Sequence, residues 1–139
     1  MYIKYAIIIA RQGGIISVYE IEFYRDSKGN EPVKQYLEEL AGKSSTNKDA
    51  RVRLNKIVAY IDLLAEHGTR IGEPVTKHLD GDIWELRPFR DRILYFYWKN
   101  DTFVLLHYFV KKTQKTPARE IEQAKRNMAD HLERNDIDE

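Results

Sequence analysis

The chain has 139 residues, 42% of them hydrophobic and 12% aromatic, which suits one domain with one core and excludes disorder of the whole chain. It contains no cysteine, which excludes disulfides and thiolate metal sites and fits a reducing, cytoplasmic compartment. The formal net charge is only +1, so the totals alone do not announce a nucleic-acid binder.

The distribution of charge says more than its sum. Between Trp84 and Arg119 eight basic residues face three acidic ones, whereas Asp130 to Glu139 carries five acidic residues and one arginine. A basic working segment and an acidic tail cancel in the total. The longest apolar run, Tyr5 to Ala10, falls far short of the ~20 residues of a membrane span. It is followed by Arg11-Gln12-Gly13-Gly14 rather than by a small-residue cleavage site, so no membrane partner or targeting signal is expected.

In chain order, Tyr2 to Tyr24 reads as two strands turned at Gly13-Gly14, with β-formers alternating from Tyr19 to Phe23. Asp26 to Asn30 is a loop. Pro32 stands at an early helical position, where its missing N–H costs nothing. Val33, Tyr36, Leu37 and Leu40 follow at helical spacing, with Gly42 placed to end the helix. Thr46 is a candidate cap for a second helix, striped by Leu54, Ile57, Ile61 and Leu64 and ending near Gly68. Two helices on so short a linker are antiparallel neighbours. Thr69 to Asp82 reads as a loop. Three strands then follow, Ile83 to Arg87, Arg92 to Lys99 and Thr102 to Val110, with a turn at Lys99-Asn100-Asp101. Thr116 caps and Pro117 starts a last helix striped by Ile121, Ala124, Met128 and Leu132. The order β-β-α-α-β-β-β-α predicts an α+β domain: an antiparallel sheet with an N-terminal strand or hairpin, a helical hairpin and a C-terminal helix.

The basic strands carry the chemistry. Glu85 and Arg87 share one face of a strand, and Trp84 and Leu86 share the other, core-facing one. Arg92 begins the next strand, and Lys111 and Lys112 end the last. Converging at one end of a twisted sheet, such cations suit a phosphodiester and the extra charge of its pentacoordinate transition state. RNA supplies its own nucleophile, the 2′-hydroxyl, so the reaction needs positioning, a base, charge stabilisation and an acid, and no metal or cofactor. Glu85 leads as base by placement, with His107 as rival. Against these stand plainer roles: Glu85 as an ion partner of Arg87 or Arg92, His107 as a buried, hydrogen-bonded ring, and the cations as a solvated face. Lys111 to Pro117 is a polar, basic turn into a helix N-terminus, where free N–H groups favour phosphate. Tyr95, Phe96, Tyr97 and Trp98 are either core or base-stacking rings. His67, His78, His107 and His131 have no spacing that marks a metal site.

Taken together, Ile83-Trp84-Glu85-Leu86-Arg87-Pro88, Arg90 to Tyr95, Leu105-Leu106-His107, Phe109 to Pro117 and Glu120 to Lys125 closely resemble the phage-derived HigB branch of the RelE-type toxins. Gly29 to Val33 and His67-Gly68-Thr69-Arg70 also fit, and the resemblance runs roughly from Tyr19 to Leu132. It implies a RelE-like fold and a toxin of a type II toxin–antitoxin pair, an endoribonuclease that cleaves mRNA on the ribosome. It implies a cognate helix-turn-helix antitoxin as partner, and operator DNA indirectly through that antitoxin. The family's basic strand residues carry over onto Arg87, Arg92, Lys111 and Lys112, while the base stays open between Glu85 and His107. Two features depart from the pattern. A single toxin domain is expected over 1–139, within which 1–15 reads as an N-terminal extension and 133–139 as an acidic tail. Tyr108 stands where a small residue is expected after the histidine. A second hypothesis is a non-catalytic basic module that acts only within an antitoxin–DNA repressor complex. The acidic tail is a further element expected to fold onto the basic face.

Overall fold

Pro32 opens the first helix as expected. In the computed structural model, which describes residues 18–135, helix α1 spans Pro32–Lys43 and buries Val33, Tyr36, Leu37 and Leu40. Gly42 lies inside it. The end falls at Ser44, whose backbone N–H and hydroxyl both donate to the Ala41 carbonyl, satisfying a terminal acceptor without a glycine. Helix α2 (Lys48–His67) is capped by Asn47 rather than Thr46: the Asn47 side chain accepts from the Ala50 N–H at 3.0 Å. Either type caps well, and a helix that starts at Lys48 puts Asn47 in the position that reaches the first free N–H groups. At the other end Gly68, with a φ of 66°, is the C-cap.

Five strands form one sheet: β1 (Glu20–Phe23), β2 (Thr76–Asp80), β3 (Ile83–Leu86), β4 (Asp91–Tyr97) and β5 (Thr102–Val110), in the order β1-β5-β4-β3-β2. The sheet is mixed rather than wholly antiparallel, because β1 runs parallel to β5. The chain leaves β1, passes through both helices and three strands, and returns beside it, so the pairing needs no hairpin. Strand β2 lies within the segment read as a loop, together with a 3-10 turn at Gly68–Ile71. It is an edge strand whose residues are mostly exposed, so it carries no hydrophobic alternation, and backbone pairing to β3 defines it. The first strand and the Gly13-Gly14 turn of the expected hairpin, like residues 1–15, lie outside the described residues.

Helix α3 (Ala118–Asn135) crosses one face of the sheet, and α1 and α2 cover the other. Ile83, Leu94, Phe96, Val104 and Leu106 pack toward α3 around Ala124. Leu86, Ile93, Tyr95, Phe103 and Leu105 pack toward the helical hairpin. Strand alternation therefore assigns each site residue a face. Tyr95 and Phe96 are core, not stacking rings; Tyr97 alone of that run is exposed.

A buried polar cluster ties the hairpin to the sheet. Asp91, at the start of β4, is 1% exposed. It accepts from Arg53 Nε at 3.0 Å and Nη2 at 2.7 Å, and from the Tyr36 hydroxyl. Arg53 Nη2 also donates to the Tyr36 oxygen at 2.6 Å. The hydrogen bonds from Arg53 to Asp91 push the guanidinium pKa up, and burial followed by the Asp91 contact does the same for the Tyr36 phenol. Tyr108 stacks on Tyr36 with ring centroids 4.1 Å apart and planes 8° from parallel. Its bulk is thus absorbed on the hairpin side of the sheet, whereas His107 reaches Glu120 of α3.

The acidic segment starts on the last turns of α3. Asp130 accepts from the Tyr24 hydroxyl at 2.6 Å and from Arg134 at 2.8 Å. These turns lie at the end of α3 away from Lys111 and Lys112. Residues 136–139 are outside the described residues.

Candidate functional site: the basic end of the sheet

Register brings the basic residues to one end of the sheet. Glu85 pairs with Leu94 and Leu94 with His107, so the three lie in one row across β3, β4 and β5. With strands ~4.8 Å apart, Glu85 and His107 are about 10 Å from each other on the α3 face. The next row toward the end holds Arg92, paired with Phe109. Arg87 follows β3 on the same side as Glu85, and Lys111 follows β5 with its N–H bonded to the Arg90 carbonyl at 2.7 Å.

Glu85 is the centre of this end, and it is closed off. The residue is 1% exposed. Its Oε2 accepts from the Thr116 hydroxyl at 2.5 Å. Its Oε1 has Arg87 Nε at 3.6 Å and Arg92 Nε at 3.9 Å. A buried carboxylate needs such partners, because an unpaired charge there is very costly. Thr116 therefore does not serve as expected: its hydroxyl goes to Glu85, and the Pro117 carbonyl accepts the first α3 bonds from Glu120 and Ile121. The result is a tie from strand β3 to the basic turn.

The two arginines differ in access. The Arg92 side chain is 7% exposed, and its Nη1 donates to the Phe89 and Asp91 carbonyls at 2.8 and 2.9 Å. Burial presses the Arg92 pKa below its ordinary value; Glu85 opposes that shift and the Arg87 charge adds to it. Arg92 is thus a brace under the β3–β4 turn. Arg87 is more open, and its Nη1 reaches exposed Glu73 at 3.3 Å. Its Nε is shielded and makes no hydrogen bond among the described residues.

Beside this cluster lies a cleft of about 450 Å³, lined by Phe109, Val110, Lys112, Thr113, Pro117, Arg119 and Glu120. Lys112 is exposed, while Lys111 is half-buried. His107 reaches Glu120 at the cleft wall, Nε2 to Oε1 2.7 Å, and its side chain is 19% exposed. An ionised carboxylate only accepts, so a neutral His107 donates through Nε2 and keeps Nδ1 as its basic nitrogen. Glu120 and Arg119 were not among the residues expected at the site. An acidic residue in the first turn of a helix is common for dipole reasons, and its pairing to a strand 13 residues earlier is tertiary. Among the described residues no group of three His, Asp or Glu side chains is set to hold a metal ion, and no helix is long and apolar enough to cross a membrane.

The β3–β4 turn has one further feature. Asp91 N–H donates to the Pro88 carbonyl at 3.0 Å, closing a turn whose first central residue, Phe89, has a φ of 54°. Glycine is the usual occupant of a positive φ there. A bulky residue so placed costs about 1–3 kcal/mol, offset by the surrounding structure.

No curated protein matches the chain. Residues 45–129 match the family model described as Phage derived protein Gp49-like (DUF891). That span runs from the helical hairpin's linker through the cleft and most of α3, and it includes Glu85, Arg87, Arg92, His107, Lys111, Lys112 and Glu120. It covers more than half of the sequence, and on it the chain belongs to the Gp49-like phage-derived family, a family associated with toxin–antitoxin systems.

Proposed function

We propose that this protein is the toxin of a type II toxin–antitoxin pair of the HigB branch, a metal-independent endoribonuclease that cuts mRNA on the ribosome. The observation that carries the reading is the buried Glu85 carboxylate, which organises Arg87 and Arg92 beside a cleft lined by Lys112, Arg119 and Glu120, with His107 bonded to Glu120. In this mechanism the scissile phosphate lies between Arg87 and Lys112. His107 Nδ1 takes the proton of the 2′-hydroxyl, whose oxygen attacks the adjacent phosphorus. The P–O5′ bond breaks, Lys112 gives a proton to the leaving oxygen, and the products are a 2′,3′-cyclic phosphate and a 5′-hydroxyl. Arg87, Lys111 and the N-terminus of α3 stabilise the added charge on the phosphorane. Glu85 fits the role of anchor better than that of base, because both of its oxygens are engaged and it is sealed from solvent.

A helix-turn-helix antitoxin would silence such a site by covering the cationic end with acidic residues, and the pair would reach operator DNA through the antitoxin. The base assignment is tested by single-turnover cleavage on programmed ribosomes. His107→Gln is expected to slow cleavage about a hundredfold with an unchanged thermal midpoint. Glu85→Gln is expected to lower the midpoint as well as the rate. A well-folded, inactive Glu85→Gln protein beside an active His107→Gln protein would reverse the two roles.

A further inference from the structure

We infer that Phe89 is a nucleobase-stacking platform at the lip of the site, and that it engages single-stranded RNA next to the phosphate held by Arg87. The inference rests on the RNA-cleaving reading above and adds a contact that the reading does not need. Phe89 is 52% exposed, one of the few large apolar side chains among the described residues that face solvent. It occupies the positive-φ position of a tight turn, where glycine fits without strain and a phenyl ring adds nothing to the core. Its place is nevertheless fixed. The buried Arg92 guanidinium holds the Phe89 carbonyl at 2.8 Å, and the same side chain faces Glu85. The backbone that carries the ring is therefore coupled through the buried Arg92 side chain to the carboxylate that faces Arg87.

Its surroundings are cationic. The Lys56 ammonium sits 4.8 Å from the Phe89 ring centroid and 5.4 Å from that of Tyr60. Arg90, the next residue in the turn, has a side chain 62% exposed, with a long 3.7 Å contact to exposed Asp49. An exposed ring flanked by loosely held cations is the arrangement that takes a base on the π face and its phosphates on the rim. A protein hot spot would instead sit at the centre of a well-packed, desolvated apolar patch, and Phe89 lies on a charged rim.

The test compares the wild type with Phe89→Gly, Phe89→Trp and Arg87→Ala for binding of a fluorescent, mixed-sequence 12-nucleotide single-stranded RNA across a salt series. Phe89→Gly suits the backbone, so it should fold with undiminished thermal stability. It should bind the RNA about tenfold more weakly with the slope of log affinity against log salt unchanged, because no ionic contact is lost. Phe89→Trp should retain the affinity. Arg87→Ala should weaken binding and flatten the salt slope. Unchanged RNA affinity in Phe89→Gly, with Arg87→Ala impaired, would overturn the inference and leave the proposed function intact. The inference would fall in that case even if Phe89→Gly also lost its grip on an acidic antitoxin. If the wild type binds no RNA and cuts none on ribosomes, the inference falls together with the reading beneath it.

Discussion

Arg87→Ala is expected to slow mRNA cleavage on programmed ribosomes by about 10²–10³-fold, the scale for losing one preorganised donor to a developing oxyanion. The geometry gives two reasons for an effect on rate. Arg87 is the more open of the two arginines around Glu85, so its guanidinium can meet a phosphate while Arg92 stays buried. Its Nε is shielded, makes no hydrogen bond among the described residues, and lies 3.6 Å from Glu85 Oε1, an ion pair that preorganises the side chain. Removing it leaves Glu85 with Thr116 and Arg92, so the thermal midpoint should fall by only a few degrees. A loss of rate no larger than fivefold would take Arg87 out of the transition state. Arg87→Lys is expected to recover only part of the rate, since an ammonium keeps the charge but not the planar fork.

Asp91→Ala should act on stability instead, by about 3–5 kcal/mol. Asp91 sits at 1% exposure with two hydrogen bonds from Arg53 and one from Tyr36. Without it, the Arg53 charge and the Tyr36 phenol lose their shared anionic acceptor in a largely buried space. Arg53 is 16% exposed, so partial rehydration sets the lower end of the range. For a chain of this length the loss corresponds to roughly 10–20 °C in midpoint. Double substitution of Asp91 and Arg53 by apolar residues of similar volume should recover much of it, because it removes the stranded charge together with its partner. A midpoint within 3 °C of wild type for Asp91→Ala would show that the cluster does not tie the hairpin to the sheet. Asp91 also shows why the count of charges between Trp84 and Arg119 understates the exposed positive surface: that carboxylate, like Glu85, is buried and never meets solvent.

Where side chains alternate or stripe, the sequence and the fold agree. Strand β5 runs from Thr102 to Val110 as its pattern requires. Pro32 opens α1, Gly68 closes α2, and the α3 stripe packs on the sheet. Convergence of Arg87, Arg92 and the Lys111-Lys112 pair at one sheet end also followed from strand order. What did not follow is whatever depends on a partner distant in sequence. Strand β2 has an exposed edge pattern and exists through its pairing to β3. Thr116 has the form of a helix cap, yet a carboxylate 31 residues earlier takes its hydroxyl. Arg92 and Arg87 look equivalent in sequence, and only burial separates the enclosed Arg92 from the more open Arg87. Glu120 carries no local mark of its bond to His107. Phe89 stands where a turn favours glycine, but the turn type depends on which strands flank it.

Cleavage at the cationic end of the sheet is expected to proceed through the RNA's own 2′-hydroxyl. The most direct measurement is end-group analysis of a message incubated with the purified protein on programmed ribosomes. The expected result is a cut carrying a 2′,3′-cyclic phosphate and a 5′-hydroxyl, and no cut at a site where the message has a 2′-deoxy nucleotide. An uncut message, or a 5′-phosphate with equal cutting at the 2′-deoxy site, would contradict it.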